Sequence, residues 1–235
     1  MEDIRAQAVE FAKRNKERIA KELTDPRRFI PDPTPISIFM AGSPGAGKTE
    51  FSKRLIEDLE KDECMAVRID ADEIRPLLPG YTGSNSYLFH GAVSLIVEKI
   101  HDYVLRQRQT FVMDGTMSKY EKAVENITRS LQHSRRVLVF YIYQNPRVAW
   151  EFTEKREKVE GRNIPKSAFI EQFFSARETV DKIRNQFDKH VSAYLVKKNF
   201  ENNSVEGIIK LKPRVGTIDT YIPERYNREE LENIL

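Results

Sequence analysis

Two apolar periods alternate along this chain. Ile4, Ala8, Phe11, Ile19 and Leu23 recur at near-helical spacing until Thr24-Asp25-Pro26 breaks the pattern, which predicts an amphipathic N-terminal helix over about 4–23. Four prolines from Pro26 to Pro35 make the next stretch extended and unfit for a central strand. Then come short apolar runs with the character of buried strands: Ile36–Ala41, Ala66–Ile69, Thr110–Met113 and Val137–Tyr143. Between and after them lie segments with one apolar helical face. These are 50–60 (Phe51, Leu55, Ile56, Leu59), 86–107 (Leu88, Ala92, Leu95, Ile96, Ile100, Val104), 119–132, and one running from Pro146 towards Arg156. A long helix follows near Pro165 to Val191, with Phe169, Phe173, Ala176, Val180, Ile183 and Phe187 at alternating spacings of four and three. It covers only about three heptads, so a core-facing helix is expected rather than a coiled coil. Past residue 192 the pattern thins to an edge strand near Ile208–Leu211 and a terminal helix from Asn227. Strands alternating with helices predict an α/β fold built on a parallel, doubly wound sheet.

Directly after the first strand stands Gly42-Ser43-Pro44-Gly45-Ala46-Gly47-Lys48-Thr49, a complete G-x-x-x-x-G-K-[ST] string that opens onto a helix. Glycines at these places let backbone N–H groups turn inward on α- and β-phosphates. Lys48 reaches the β/γ bridge as a point charge, and the Thr49 hydroxyl is suited to Mg²⁺. Strand, loop and helix in this order predict a nucleoside triphosphate site and sharpen the fold class to a P-loop NTPase-type parallel sheet flanked by helices. An N-terminal helix and a helical lid are appended. The expected division is 1–35 for the N-terminal helix and linker, 36–200 for the core with a lid near 153–166, and 201–235 for a C-terminal extension.

Composition narrows the picture a little. At 235 residues, 40 % apolar and 32 % charged, the chain is of globular type, and no apolar stretch approaches the ~20 residues that span a bilayer. Acid in Met1-Glu2-Asp3-Ile4-Arg5, with no apolar run behind it, is unlike a secretory signal, so a cytoplasmic location is expected. A net charge of +3 argues against long nucleic acids as partners. Cys64, the single cysteine, leaves no intramolecular disulfide and no cysteine-based zinc site. The four histidines lack metal-ligand spacing and read as structural or surface residues.

Phosphoryl transfer needs an oriented acceptor, neutralised charge and a base for the acceptor's proton. Asp70 and Asp72 end the second strand where open α/β sheets bind ligands. Asp72 suits that base; the alternative is a helix N-terminal acid, with Asp70 or Asp72 capping the Glu73 turn. Asp114 closes the third strand in Asp114-Gly115-Thr116, as a magnesium-side acid or as a turn former, with Thr116 a substrate-contact candidate. Arg156 and Arg162 flank a short charged loop between two helices. They fit a lid that closes on phosphates, or a solvated face paired with Glu154, Glu157 and Glu160.

Taken in order, Gly42–Thr49, Ile69-Asp70-Ala71-Asp72, Met113-Asp114-Gly115-Thr116, Arg156 and Arg162-Asn163-Ile164-Pro165-Lys166 resemble the zeta toxin family of P-loop kinases over about residues 36 to 200. The resemblance implies an ATP- and Mg²⁺-dependent kinase with Asp72 as catalytic base and Arg156 and Arg162 as phosphate-binding lid arginines. It also implies UDP-N-acetylglucosamine as acceptor and a small helical antitoxin as partner. Two departures bear on the acceptor. Usual members carry Glu at the Asp114 position, and an arginine where Ser118 stands here, with Lys119 next; a lysine offers a point charge, not the guanidinium fork. Other readings are a P-loop kinase of a nucleic-acid end, a nucleoside or an antibiotic, and an ATP-gated regulatory module. The N-terminal helix either stands in for an antitoxin contact or packs on the core.

Overall fold

The computed structural model describes every residue except Met1, Arg162, Phe200, Asn203 and Pro223, and leaves the side chains of Glu2 and Glu160 undescribed. Six strands form one sheet: β1 (Ile36–Ala41), β2 (Val67–Asp70), β3 (Phe111–Asp114), β4 (Arg136–Tyr143), β5 (Val191–Lys198) and β6 (Val205–Leu211). Their order is β2-β3-β1-β4-β5-β6, all neighbours parallel except the final antiparallel pair. The first crossover leads from β1 to β2 on one side, and β4 lies on the other. The carboxyl end of β1 is therefore the switch point at which such sheets hold ligands.

The helices are α1 (Glu2–Leu23), α2 (Lys48–Lys61), the single turn α3 (Ala71–Ile74), α4 (His90–Arg106), α5 (Tyr120–Gln132), α6 (Pro146–Glu160), α7 (Lys166–Phe187) and α8 (Arg228–Ile234). Side chains alternate across a strand, and both faces of the sheet are apolar. Phe39, Ala41, Val67, Ile69, Phe111, Val137, Val139 and Tyr141 face the larger core, filled by α4, α5 and α7. Ile38, Met40, Val112, Phe140 and Ile142 face the smaller one, where α2 supplies Phe51.

α1 packs on the outside of α4 through Ala8, Ala12, Ile19 and Ala20, each at most 4 % exposed, so the N-terminal helix is part of the core packing. Gln109 ties its end down, donating to the carbonyls of Thr24 and Phe29. At the other end of the chain Asn227 and Glu230 form a capping box that starts α8, and Leu231 is buried beside α7.

Two expectations need correction. The helix expected to reach Val191 stops at Phe187, and Val191–Lys198 is a full strand of the sheet. Asp188, at φ 46°, turns the chain out of the helix. The second concerns Arg156, expected to flank a loop: α6 continues through Glu160 and ends on left-handed Gly161, so Arg156 is a helical residue. Among the described residues no helix is long and apolar enough to cross a membrane.

Candidate active site

The phosphate loop is held open by its glycines. Gly42 (φ 140°), Gly45 (φ 68°) and Gly47 (φ 84°) adopt backbone that L side chains rarely take. A Cβ on Gly45 would lie 1.9 Å from the Ala149 carbonyl oxygen of α6, and one on Gly42 would lie 2.5 Å from the Ile142 carbonyl oxygen. The loop is thus wedged against the β4–α6 backbone. Its first amide, Gly42 N–H, donates to the Thr116 carbonyl at 3.1 Å and joins it to the loop after β3. Half-buried Lys48 turns back, its Nζ 3.1 Å from Gly42 O and 2.7 Å from Ser43 O. Burial pushes its pKa down to about 8 against the pull of Asp114, Asp72 and Asp70.

From this loop a cleft of about 470 Å³ extends along α2 and under the loop after α3. It is lined by Thr49 and Lys53 of α2, by Asp70, Asp72 and Glu73, by Tyr81, Thr82 and Gly83, and by Arg156 of α6. Asp72 projects from the first turn after β2. Its Oδ1 meets Arg75 Nη1, and its Oδ2 accepts from Arg156 Nη2 at 2.9 Å. Asp70 performs the capping that sequence had left open between the two acids: its Oδ1 accepts from the Asp72 amide at 2.8 Å. Asp72 is thereby left to face the cleft.

The wall behind is organised by a residue that pattern reading passes over. Arg68 lies one position from each apolar neighbour in β2, so the two-residue alternation puts it with Asp70 on the α2 face. Parallel register pairs Asp70 with Asp114. Arg68 Nη2 donates to Asp70 Oδ2 at 2.5 Å and to Asp114 Oδ2 at 2.7 Å, its Nη1 to Glu73, and its Nε to Ser52 Oγ at 3.2 Å. Ser52 Oγ in turn donates to Asp114 Oδ2 at 2.9 Å. Burial, and then the Asp114 and Asp72 carboxylates, raise the Asp70 pKa to about 6.

Of the residues singled out from sequence, Thr49, Asp72 and Arg156 meet in the cleft, and Lys48 adjoins them through the loop. Asp114 is set back behind Arg68, its side chain 4 % exposed, and Thr116 bonds Ser118 Oγ through its hydroxyl at 3.0 Å. Neither lines the cleft. Arg162 lies outside the described residues. Sequence reasoning missed Arg68, Arg75 and Lys53. A charge in the middle of Val67-Arg68-Ile69 is the one local signal for the first.

Thr49 and Asp70, which line the cleft, are the hard oxygen donors of the kind magnesium takes, and Asp114 stands behind them, held by Arg68 and Ser52. Among the described residues no three His, Cys, Asp or Glu side chains converge into a metal cage, so an ion here would draw most of its oxygens from a triphosphate and water. The donors present fit that mode.

The zeta toxin family model matches residues 19–205. Among solved structures, a chain from the PezAT chromosomal toxin-antitoxin system of Streptococcus pneumoniae superposes with a TM-score of 0.63 at 15 % identity, covering 84 % of this chain and 79 % of that one. A chain of the AvrRxo1-ORF1:-ORF2 complex with ATP gives 0.59 at 15 % identity, covering 89 % of this chain and 65 % of that one, slightly less than two thirds of its length. A chain of the Pnkp1/Rnl/Hen1 RNA repair complex gives 0.51 at 19 % identity over 63 % of this chain and 46 % of that one. At such identities the likeness is one of fold. No curated protein matches the sequence.

Proposed function

The chain belongs to the zeta toxin family of P-loop kinases, and from that premise we propose that it transfers the γ-phosphate of ATP to a hydroxyl of a small molecule, with a nucleotide sugar such as UDP-N-acetylglucosamine the first acceptor to test. The observation that carries this is Asp72: an acid two strands away from the phosphate loop, facing the same cleft as Thr49, with Arg156 of α6 on its second oxygen.

In the proposed reaction the acceptor oxygen attacks the γ-phosphorus, the bond from that phosphorus to the β,γ-bridging oxygen breaks, and the acceptor's proton passes to Asp72. Arg75, at the end of the same turn, fixes one oxygen of the Asp72 carboxylate by an ion pair. Lys48 leaves the Gly42 and Ser43 carbonyls for the triphosphate. Arg156 sits within reach of both base and cleft, so it exchanges Asp72 for phosphate oxygens when nucleotide enters, and Arg162 joins it from the segment after Gly161. Magnesium, when bound, neutralises charge between the phosphates; Thr49 would hold it, with Asp114 behind Ser52 in support. Two-protein systems among the structural neighbours support an antitoxin-like protein partner for this chain.

The direct experiment offers Mg-ATP and a panel of nucleotide sugars, and reads added phosphate by mass spectrometry. Asp72→Ala is expected to keep ATP affinity and to lose transfer by roughly 10²-fold or more. A variant that phosphorylates the acceptor at the wild-type rate would remove Asp72 from the mechanism.

A further inference from the structure

Helices cover both faces of the sheet, but its β6 side ends in an open edge. β6 is paired on its inner side, with β5, and among the described residues its backbone has no hydrogen-bond partner beyond that pair. Such an edge presents a row of free N–H and C=O groups to any chain that can lie against it. The strand alternates regularly: Glu206, Ile208 and Lys210 are exposed, while Val205, Gly207 and Ile209 are half-buried. Ile208 is 53 % exposed although it stands beside fully buried Val196 of β5. Neither Glu206 nor Lys210 takes part in an ion pair among the described residues. An acid, an isoleucine and a base at steps of two therefore form a pattern that is its own complement when reversed.

We propose that β6 pairs antiparallel with β6 of a second copy of this chain, about a twofold axis through Ile208, joining two six-stranded sheets into one. In that register Glu206 lies opposite Lys210 of the second copy, Lys210 opposite its Glu206, and Ile208 against Ile208. Opposite charges and apolar side chains directly across a ladder are favourable, and like charges are not. Parallel pairing in register would set Glu206 on Glu206 and Lys210 on Lys210. Moving the axis one residue, to Gly207 or Ile209, would set a charge against Ile208. A lysine on an edge guards it against arbitrary strands, and the twofold answers that guard with Glu206. The register of β6 on β5 slips between Lys197 and Lys198, a bulge at the hairpin end that leaves Gly207–Leu211 regular. A contact of this kind is isologous and closes on itself as a dimer. The cleft is lined from α2 and from β2, which lies at the opposite edge of the sheet, so the pairing leaves it open. The inference is independent of the kinase reading.

Sedimentation velocity on the full chain reads the assembly. Wild type is expected to dimerise reversibly, and Ile208→Asp to be monomeric. Glu206→Lys sets lysine against lysine twice across the axis, and Lys210→Glu sets acid against acid twice, so each variant alone should associate at least about tenfold more weakly. Mixed in equal amounts, the two should recover a heterodimer of wild-type affinity, because every pair across the axis is again of opposite sign. Lys13→Glu, on the exposed surface of α1, changes net charge as Lys210→Glu does and should give no such recovery with Glu206→Lys. A wild type that stays monomeric up to about 100 μM, a dimer indifferent to either reversal, or a mixture that does not recombine overturns the proposal. Mg-AMP-PNP should bind all these forms equally, so a failure of the dimer leaves the kinase reading standing, and a failure to bind nucleotide leaves the dimer standing.

Discussion

Lys48 is a lysine whose ordinary charge has been made conditional. Its burial brings the pKa to about 8, within reach of laboratory pH, and its hydrogen-bond partners among the described residues are two carbonyl oxygens. A triphosphate binds the protonated form, so the sign follows directly. Affinity for ATP should be level below pH 8 and fall by up to about tenfold per unit above it, as deprotonated Lys48 must first recover its proton. Calorimetry at pH 7 and pH 9, in two buffers of different ionisation enthalpy, reads both the loss and the proton uptake. An affinity unchanged at pH 9 would show that Lys48 keeps its proton in the free protein. Asp72 differs in kind, since one arginine holds each of its oxygens, Arg75 at the end of its own turn and Arg156 on α6.

At the scale of elements, the phosphate loop and α6 form one unit. Gly45 approaches the Ala149 carbonyl so closely that no side chain fits, and Thr153 Oγ1 also donates to that carbonyl at 2.9 Å. Gly45→Ala should therefore displace the first turns of α6, cost about 2 kcal/mol of stability and weaken ATP binding together with it. A wild-type melting temperature with wild-type nucleotide affinity would show that the wedge is slack. Elements of this kind were the most legible in sequence. β1 starts and stops where its apolar run does, and the loop and α2 follow at once. β5 was not legible, because Val191 stands four residues after Phe187 and so continues the helical repeat; the break is made by the backbone at Asp188, a residue type with no special mark as a stop. Arg68 was hidden for another reason. Its partner Asp114 lies 46 residues away, and only the parallel register of β2 on β3 brings them face to face.

For the whole molecule, the outer helix matters as much as the sheet. α1 covers α4 with small residues that allow close approach, and Glu17 holds both Lys99 and Tyr103 of α4. Ala12 is fully buried there. Ala12→Asp should lower stability by about 3 kcal/mol or more, since a carboxylate would be left in an apolar contact without a partner. A denaturant midpoint equal to wild type would mean that α1 is a detachable appendage. The matched family region begins at residue 19, inside this helix, so most of α1 lies before it. A different consequence attaches to Arg68. Three carboxylates share it, and the neutral donors beside them, the Ser52 hydroxyl and the Asp72 amide, carry no charge to offset theirs, so losing the arginine alone would leave Asp70, Glu73 and Asp114 repelling one another. Positions 68, 70, 73 and 114 are therefore bound to one another in inheritance as they are in space: among descendants of this sequence they should change in concert or stay as they are.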